Sequence, residues 1–536
     1  MNASPRAGRM LLATGLALIA VGAGAPGALA QELAWQACGN AAAECATATV
    51  PRDYETPDGR TLDIAVARVK ATDPQKRIGS LFVNFGGPGA PATIYVEAFG
   101  ADLFKTLSDR FDIVGVDPRG TGRSEGAIDC KVDQESQGIY SQPFTTPLNL
   151  NVSELIATDQ RYIERCRQLN DADVLPYVST ANTARDMDWV RDALGEPKLS
   201  YLGFSYGTFL GATYASLFPT HYRALVLDGA LDADRYINKP LESLREQTSG
   251  IERALGRFLA ACAGDQVACS RFGGADPWTA FDELIKKADR QSLPTTQGRP
   301  LDGDDIRAGA AQAMYSKGSW GELGQALAQA AAGDGTLMRG IADSFYGRNA
   351  DGSYDPLLDR YYTIGALEQR YPKMVVDPYL EAGDHSWGLF DHAFWNHGYT
   401  ELAWGLWPVT PRGVFRGPFE AAAGSPTALV VATTYDPATP YRGSVRLTRD
   451  LGNARLLTMR GDGHTAYDGN SPCIDTAVDA YLEDGVVPAE GTTCVQDVPF
   501  AAPAPAAAPA LQAQALAPRG SELPVLRPHM RPLPPG

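Results

Sequence analysis

Apolar positions in this chain come in two rhythms. The runs at residues 61–71 (TLDIAVARVKA), 79–87 (GSLFVNFGG) and 111–120 (FDIVGVDPRG) are short, rich in β-branched residues and stopped by Gly or Pro, which predicts strands. Next, ARDMDWVRDALG places apolar residues at helical spacing and ends on Gly195, a helix with its stop signal. The run KLSYLGFS reads as a strand, GTFLGATYASLFP as a helix ended by Pro219, and RALVLDGAL (223–231) as a buried strand. Strands alternating with helices predict a mostly parallel sheet covered on both faces.

From about Leu231 to Phe419 the rhythm becomes helical, aromatic and irregular, and it includes WGLFDHAFWNHGYTELAWGLWP. Strand patterning resumes with PTALVVATTYD (426–436) and ARLLTMRGDGH (454–464). A sheet that is interrupted by a long helical insertion and then completed should carry that insertion over its carboxyl edge, where open α/β sheets bind ligands. The expected organisation is a leader at 1–30, a first core part at 31–230, a helical lid at 231–419, a second core part at 420–499 and an Ala/Pro-rich disordered tail at 500–536.

Residues 1–30 have the three parts of a secretory signal peptide: Arg6 and Arg9, an apolar run, and Ala28-Leu29-Ala30 before Gln31. Cleavage there leaves no membrane anchor, because no later stretch approaches the roughly 18 apolar residues that span a bilayer. Eight cysteines in an exported chain suggest disulfides. Proximity favours Cys38 with Cys45, Cys130 with Cys166, Cys262 with Cys269, and Cys473 with Cys494, and none has the spacing of a zinc site. With 536 residues, 44% apolar and 21% charged, the chain is ordinary globular material; 63 acidic against 47 basic residues make nucleic acid an improbable partner.

Two segments match G-x-S-x-G, Gly203–Gly207 around Ser205 and Gly122–Gly126 around Ser124. A nucleophile elbow needs a strand arriving and a helix leaving, with small residues two before and two after the serine so that the backbones can approach. Ser205 meets that demand on both sides. Ser124 does not, since AIDCKVDQ is too short and polar to be the helix. A serine hydroxyl needs a base, and a carboxylate to hold that base in the useful tautomer. Of six histidines, His464 alone sits in a glycine-flanked loop directly after a strand. His385, His392 and His397 belong to the aromatic insertion and suit lining or packing. Asp436, ending the preceding strand, is the expected orienter, with Asp228 as runner-up and Asp462 too close in sequence to His464. Gly86, Gly87 and Tyr206 are the expected oxyanion region.

The ordered set FGGPG, GVDPRGTGRS, GFSYGT, YDPATP and GDGHTAY, with SPC and GTTC near the end, resembles the exported prolyl iminopeptidase and tripeptidyl aminopeptidase group of α/β hydrolases, from about Cys45 to Cys494. The resemblance implies an α/β-hydrolase fold with a large helical lid and an acyl-enzyme on Ser205. It also implies His464 as base, Asp436 as orienter, no metal or other cofactor, and peptide substrates with free amino termini. Related enzymes often carry a cysteine and an acidic residue ahead of a Trp-Pro late in the lid, whereas this chain has Ala403-Trp404-Gly405-Leu406-Trp407-Pro408, a departure that bears on substrate preference. Glu401 and Asp391, with Asp384, are the candidate carboxylates for the substrate ammonium. An esterase or lipase-like hydrolase on the same triad is the alternative, and a non-catalytic binding protein of this fold a third. The length of the released peptide and the oligomeric state are not readable from these patterns.

Overall fold

A computed structural model of the chain describes residues 32–39, 42–141, 146–296, 298–390 and 397–501. The expected leader and nearly all of the expected tail lie outside these residues, as do Asp391 and His392.

One ten-stranded sheet organises the molecule. Its strands are β1 (Gln36–Ala37), β2 (Ala43–Pro51), β3 (Thr61–Val69), β4 (Gly79–Asn84), β5 (Phe111–Val116), β6 (Leu199–Phe204), β7 (Tyr222–Asp228), β8 (Ala428–Tyr435), β9 (Ala454–Asp462) and β10 (Thr493–Val495), in the spatial order β1-β2-β3-β5-β4-β6-β7-β8-β9-β10. The first strands pair antiparallel as far as β5, and every pair from β5 through β4 to β10 is parallel. β4 and β6 are buried at every position, and their alternate side chains feed opposite faces. Phe82 and Tyr201 enter one core with the helices Thr180–Ala193 and Tyr206–Leu217, while Leu81, Val83 and Leu202 enter the other with the helices Thr93–Phe99 and Pro472–Asp484.

β1, β2 and β10 were not expected from sequence, nor was the helix Val152–Leu169. β2 reads AECATATVP, small and polar, and its place in the sheet comes from nine residue pairs with β3 rather than from an apolar run of its own. All four disulfides are those favoured by chain proximity: Cys38–Cys45, Cys130–Cys166, Cys262–Cys269 and Cys473–Cys494.

Between β7 and β8 the chain leaves the sheet for a series of helices running from Ala233 to Leu406, and then β8 pairs directly with β7, Val226 opposite Leu429. Part of the insertion has its own core, in which Phe258, Phe281, Leu301, Met314 and Leu323 are buried together. Within it the helix Gly303–Met314 starts at a reciprocal cap, Asp302 accepting from the Asp305 amide and Asp305 from the Asp302 amide, and runs out at Tyr315, beside His464. Among the described residues, no helix is long and apolar enough to cross a membrane.

Candidate active site

Ser205 sits at the turn from β6 into the helix Tyr206–Leu217 with φ 55° and ψ −123°, a conformation that costs a residue with a Cβ about 1–3 kcal/mol. Its surroundings are glycine because nothing larger fits. A Cβ at Gly203 would lie 2.6 Å from the Gly207 carbonyl oxygen, one at Gly207 2.8 Å from Asn84 Oδ1, and one at Gly86 2.9 Å from the Ser205 Cβ. The helix that follows is buried from Tyr206 to Ala215, so the turn is pinned from below by packing.

Ser124, the other match, is a brace. Its Oγ donates to the Asp117 carbonyl at 2.7 Å and accepts the Ala65 amide at 3.0 Å, tying the loop after β5 to β3. No helix follows it, as the sequence suggested.

The His464 Nδ1 lies 3.0 and 2.9 Å from the two carboxylate oxygens of Asp436. Asp436 is itself fixed by the turn it begins: its Oδ1 accepts the amides of Ala438 and Thr439, and its Oδ2 the Thr439 hydroxyl. With its far side held, the imidazole presents Nε2, which is buried and has no hydrogen-bond partner among the described residues. The insertion supports the same loop, since the His464 amide donates to the Tyr315 carbonyl at 2.7 Å and the two rings meet edge to face at 5.3 Å. Sequence reasoning missed Tyr315 and Thr439; Thr439, three residues beyond Asp436, is the sort of hydroxyl an Asx turn places against the carboxylate.

The runner-up acids have other partners. Asp228, fully buried, accepts the amides of Ala466 and Tyr467 and so holds the backbone just past His464; burial pushes its carboxyl up to about 6. Asp462 is engaged by Arg257. His221 meets Asp188 at 2.8 Å and stacks on Phe218.

Within the expected oxyanion region the three residues differ in what they can offer. The Gly86 amide already donates to Asn84 Oδ1 at 3.0 Å, so Gly86 contributes its missing Cβ and not a donor. Gly87 and Tyr206 line the cavity; Tyr206 is the first residue of its helix, where a backbone N–H has no intrahelical acceptor. The Tyr206 hydroxyl meets that of Thr180, which Glu368 holds in turn at 3.0 Å; burial pushes Glu368 up to about 7.

Ser205, Tyr206, Gly87 and His464 open onto one cavity of about 270 Å³, roofed by the insertion. Its walls include Tyr140, Tyr361, Tyr362, Tyr371 and Trp404, and among these rings stands Glu401. Burial works to raise the Glu401 carboxyl, but His397 and the hydrogen bonds from Gly398 and Thr400 outweigh it and hold the group below its ordinary value, ionised at neutral pH. The two other carboxylates on the wall are taken by arginines: Asp232 pairs with Arg446, and Glu246 with Arg235 and Arg446. Asp384 is exposed and accepts the Tyr399 hydroxyl, away from the cavity. Asp391, the other named candidate, lies outside the described residues.

Two family models match the chain, one described as alpha/beta hydrolase fold over residues 84–261 and one described as TAP-like protein over residues 395–494. Serine protease Hip1 of Mycobacterium tuberculosis (strain ATCC 25618 / H37Rv) is 32% identical over 487 residues, which cover 87% of this chain and 91% of that protein. Carboxylesterase B of the same strain is 35% identical over 501 residues, covering 88% and 91%. Tripeptidyl aminopeptidase of Streptomyces lividans is 30% identical over 484 residues, covering 86% and 85%. Similarity of this extent across nearly the whole length, together with the elbow, the sheet order and the paired disulfides, makes the chain a serine hydrolase that belongs to the α/β-hydrolase family, in the branch with a TAP-like carboxyl-terminal region.

Proposed function

We propose that the chain is an exported aminopeptidase that releases residues or short peptides from free amino termini. In this reading Ser205 Oγ attacks the scissile carbonyl carbon while its proton passes to His464 Nε2. Asp436 keeps the imidazole in the required tautomer and stabilises its charged form. The Gly87 and Tyr206 amides receive the oxyanion. Collapse expels the downstream amine, which takes the proton from His464, and leaves the amino-terminal fragment as an ester on Ser205. Water, deprotonated by the same imidazole, then releases that fragment as a carboxylate.

The observation that carries the reading is Glu401, an ionised carboxylate on the wall of the cavity that Ser205 and His464 share, with aromatic rings around it. A carboxylate inside an aromatic enclosure favours a cation, and a free α-ammonium is the cation that a peptide's amino end supplies. Tripeptidyl aminopeptidase among the relatives supports the same substrate class. Four disulfides and the leader-like residues 1–30 support export to the periplasm or the medium.

The test is a panel of chromogenic peptides with free and acetylated amino termini, set against short-chain esters. Free amines should win by about thirty- to several-thousand-fold in kcat/KM, the equivalent of roughly 2–5 kcal/mol for losing the charge-assisted pairing with a buried carboxylate. Glu401→Gln should reduce only the free-amine substrates. Equal rates on free and blocked peptides would favour the second reading, a carboxylesterase, which the largely aromatic wall and the relative named carboxylesterase B support.

A further inference from the structure

The peptide between Ser205 and Tyr206 decides where the Tyr206 amide points. Its carbonyl end is held from within the core, since the Ser205 oxygen accepts the Thr208 amide at 2.9 Å and the Thr208 hydroxyl at 2.6 Å. A trans peptide sets its N–H opposite its C=O, so this grip turns the Tyr206 amide away from Thr208. The other end is the Tyr206 Cα, and what fixes it comes from outside the elbow. The Tyr206 ring is buried against Phe209 and Tyr236, each with centroids 6.2 Å away, and its hydroxyl meets Thr180 Oγ1. Glu368, the last residue of the helix Leu357–Glu368 in the insertion, accepts the Thr180 amide at 2.9 Å and the Thr180 hydroxyl at 3.0 Å. With the Thr180 proton given to that carboxylate, the Tyr206 hydroxyl is the donor to Thr180. We propose that Glu368 is a positioning residue for the reaction: through the hydroxyls of Thr180 and Tyr206 it lets the insertion hold the residue that follows the nucleophile, and so aims the Tyr206 amide at the oxyanion. The inference rests on the oxyanion assignment above and is independent of the choice between peptide and ester substrates.

Two observations separate this brace from ordinary packing. Glu368 is fully buried, and burial raises its carboxyl to about 7. Its hydrogen bonds go to Thr180, while Arg416, which acts on it electrostatically, donates to the Ile237 carbonyl. A position with only space to fill would avoid that cost with an amide or an apolar side chain. The second observation is where the hydroxyls lead. Ser205, at φ 55° and ψ −123°, is strained, and the rotation about ψ that would relax it is the rotation that swings the Tyr206 amide. Thr208 and the Tyr206 side chain oppose that rotation from opposite ends of one peptide.

A displaced amide weakens the tetrahedral species and leaves the bound substrate alone. Acylation and deacylation both pass through such species, so both slow together, and KM, which depends on their ratio and on substrate binding, stays where it was.

The experiment uses the substrate of the panel above that the parent turns over fastest, with active sites counted by complete phosphonylation so that misfolded protein drops out. An alkyl boronic acid, which forms a tetrahedral adduct on a serine, is the probe of the oxyanion site. Tyr206→Phe and Glu368→Ala should lower kcat per active site about 10- to 100-fold, leave KM within about twofold, and raise the boronate Ki by about the same factor as kcat falls. Glu368→Gln, which keeps a polar partner for Thr180, should lose less than Glu368→Ala, and Thr180→Ser, which keeps the hydroxyl, should stay close to the parent. Glu368→Ala with a lowered thermal midpoint but parental kcat per site and parental Ki would make Glu368 a purely structural residue and overturn the inference. Tyr206→Phe with parental kcat and Ki, or with a raised KM alone, would overturn it as well, and does so even if Glu368→Ala fails to fold. A parent enzyme that is neither phosphonylated at Ser205 nor inhibited by the boronate would instead remove the nucleophile and oxyanion reading, and the inference with it.

Discussion

Asp228 lies under the His464 loop without taking part in its imidazole chemistry: the carboxylate accepts the amides of Ala466 and Tyr467, while Asp436 holds Nδ1. Two buried aspartates at the ends of adjacent strands thus have separate tasks, one on the ring and one on the backbone. Asp436→Asn should lower kcat by about 10³- to 10⁴-fold with the fold intact, because an amide cannot hold the same tautomer. Asp228→Asn should change kcat by less than about tenfold and act mainly on stability. Steady-state kinetics and thermal unfolding on both variants separate the roles, and a severe kinetic loss in Asp228→Asn would exchange them.

The pH dependence of stability offers a second handle on Asp228. An aspartate in an unfolded chain titrates near ~3.9, and in the folded protein burial moves this one up to about 6. Between those values the folded state keeps a proton that the unfolded state has released, so stability falls as pH rises through the window, by on the order of 3 kcal/mol in total. Asp228→Asn has no such proton. Its stability relative to the parent should therefore improve by about that amount between about pH 4 and about pH 7, as read by urea denaturation.

For the nucleophile, a phosphonylating serine reagent should label Ser205 and nothing else, and Ser205→Ala should abolish labelling and reduce kcat on the order of 10⁵- to 10⁶-fold. Ser124→Ala should leave labelling in place and cost about 1–3 kcal/mol of stability, since it strands the Ala65 amide. Label recovered on a peptide containing Ser124 would refute the assignment.

Gly86→Ala tests the close approach at the elbow. The new Cβ would meet the Ser205 Cβ at 2.9 Å and the Phe204 carbonyl oxygen at 3.0 Å, at a φ of +93° that alanine rarely adopts. Displacing the nucleophile by a fraction of an ångström should cut kcat about 10²-fold with little change in KM. A variant as active as the parent would show that the turn has room to shift.

Cys473–Cys494 ties the helix Pro472–Asp484 to β10, across a sequence separation of 21. Replacing both cysteines by serine should cost about 2–4 kcal/mol, and peptide mapping without reduction should recover all four local pairs. Free thiols at both positions in exported protein would contradict the assignment.

What was legible beforehand follows from how far apart the interacting parts lie. The elbow could be read because its demands are local: Gly203 and Gly207 are small for reasons that lie within a few residues of Ser205 or on the neighbouring strand end at Asn84. His464 and Asp436 could be read because each ends a strand, and the parallel register of β8 and β9 brings strand ends together. That the Gly86 amide is already engaged is not legible, because its partner, Asn84 Oδ1, comes from a side chain two residues back, and the pattern of glycines says nothing about where that side chain turns. Nothing local marks Tyr315 as the acceptor for His464 either, since that contact depends on how the insertion folds back. The pair His397 and Glu401 has a readable signal, the i,i+4 spacing of an imidazole and a carboxylate, masked by the aromatic residues around it.

The bond from His464 to the Tyr315 carbonyl changes what the insertion is. A cap that only covered a site could be trimmed or exchanged for another without touching the chemistry beneath. Here the backbone at Tyr315, together with the bridge between Ser316 and Gly463, is a strut of the His464 loop itself. A chimera that imports a foreign cap must reproduce that strut to remain an enzyme. Under the proposed triad, drift toward new substrates is then channelled into the wall around Glu401, while Tyr315 and Ser316 stay fixed against His464 and Gly463.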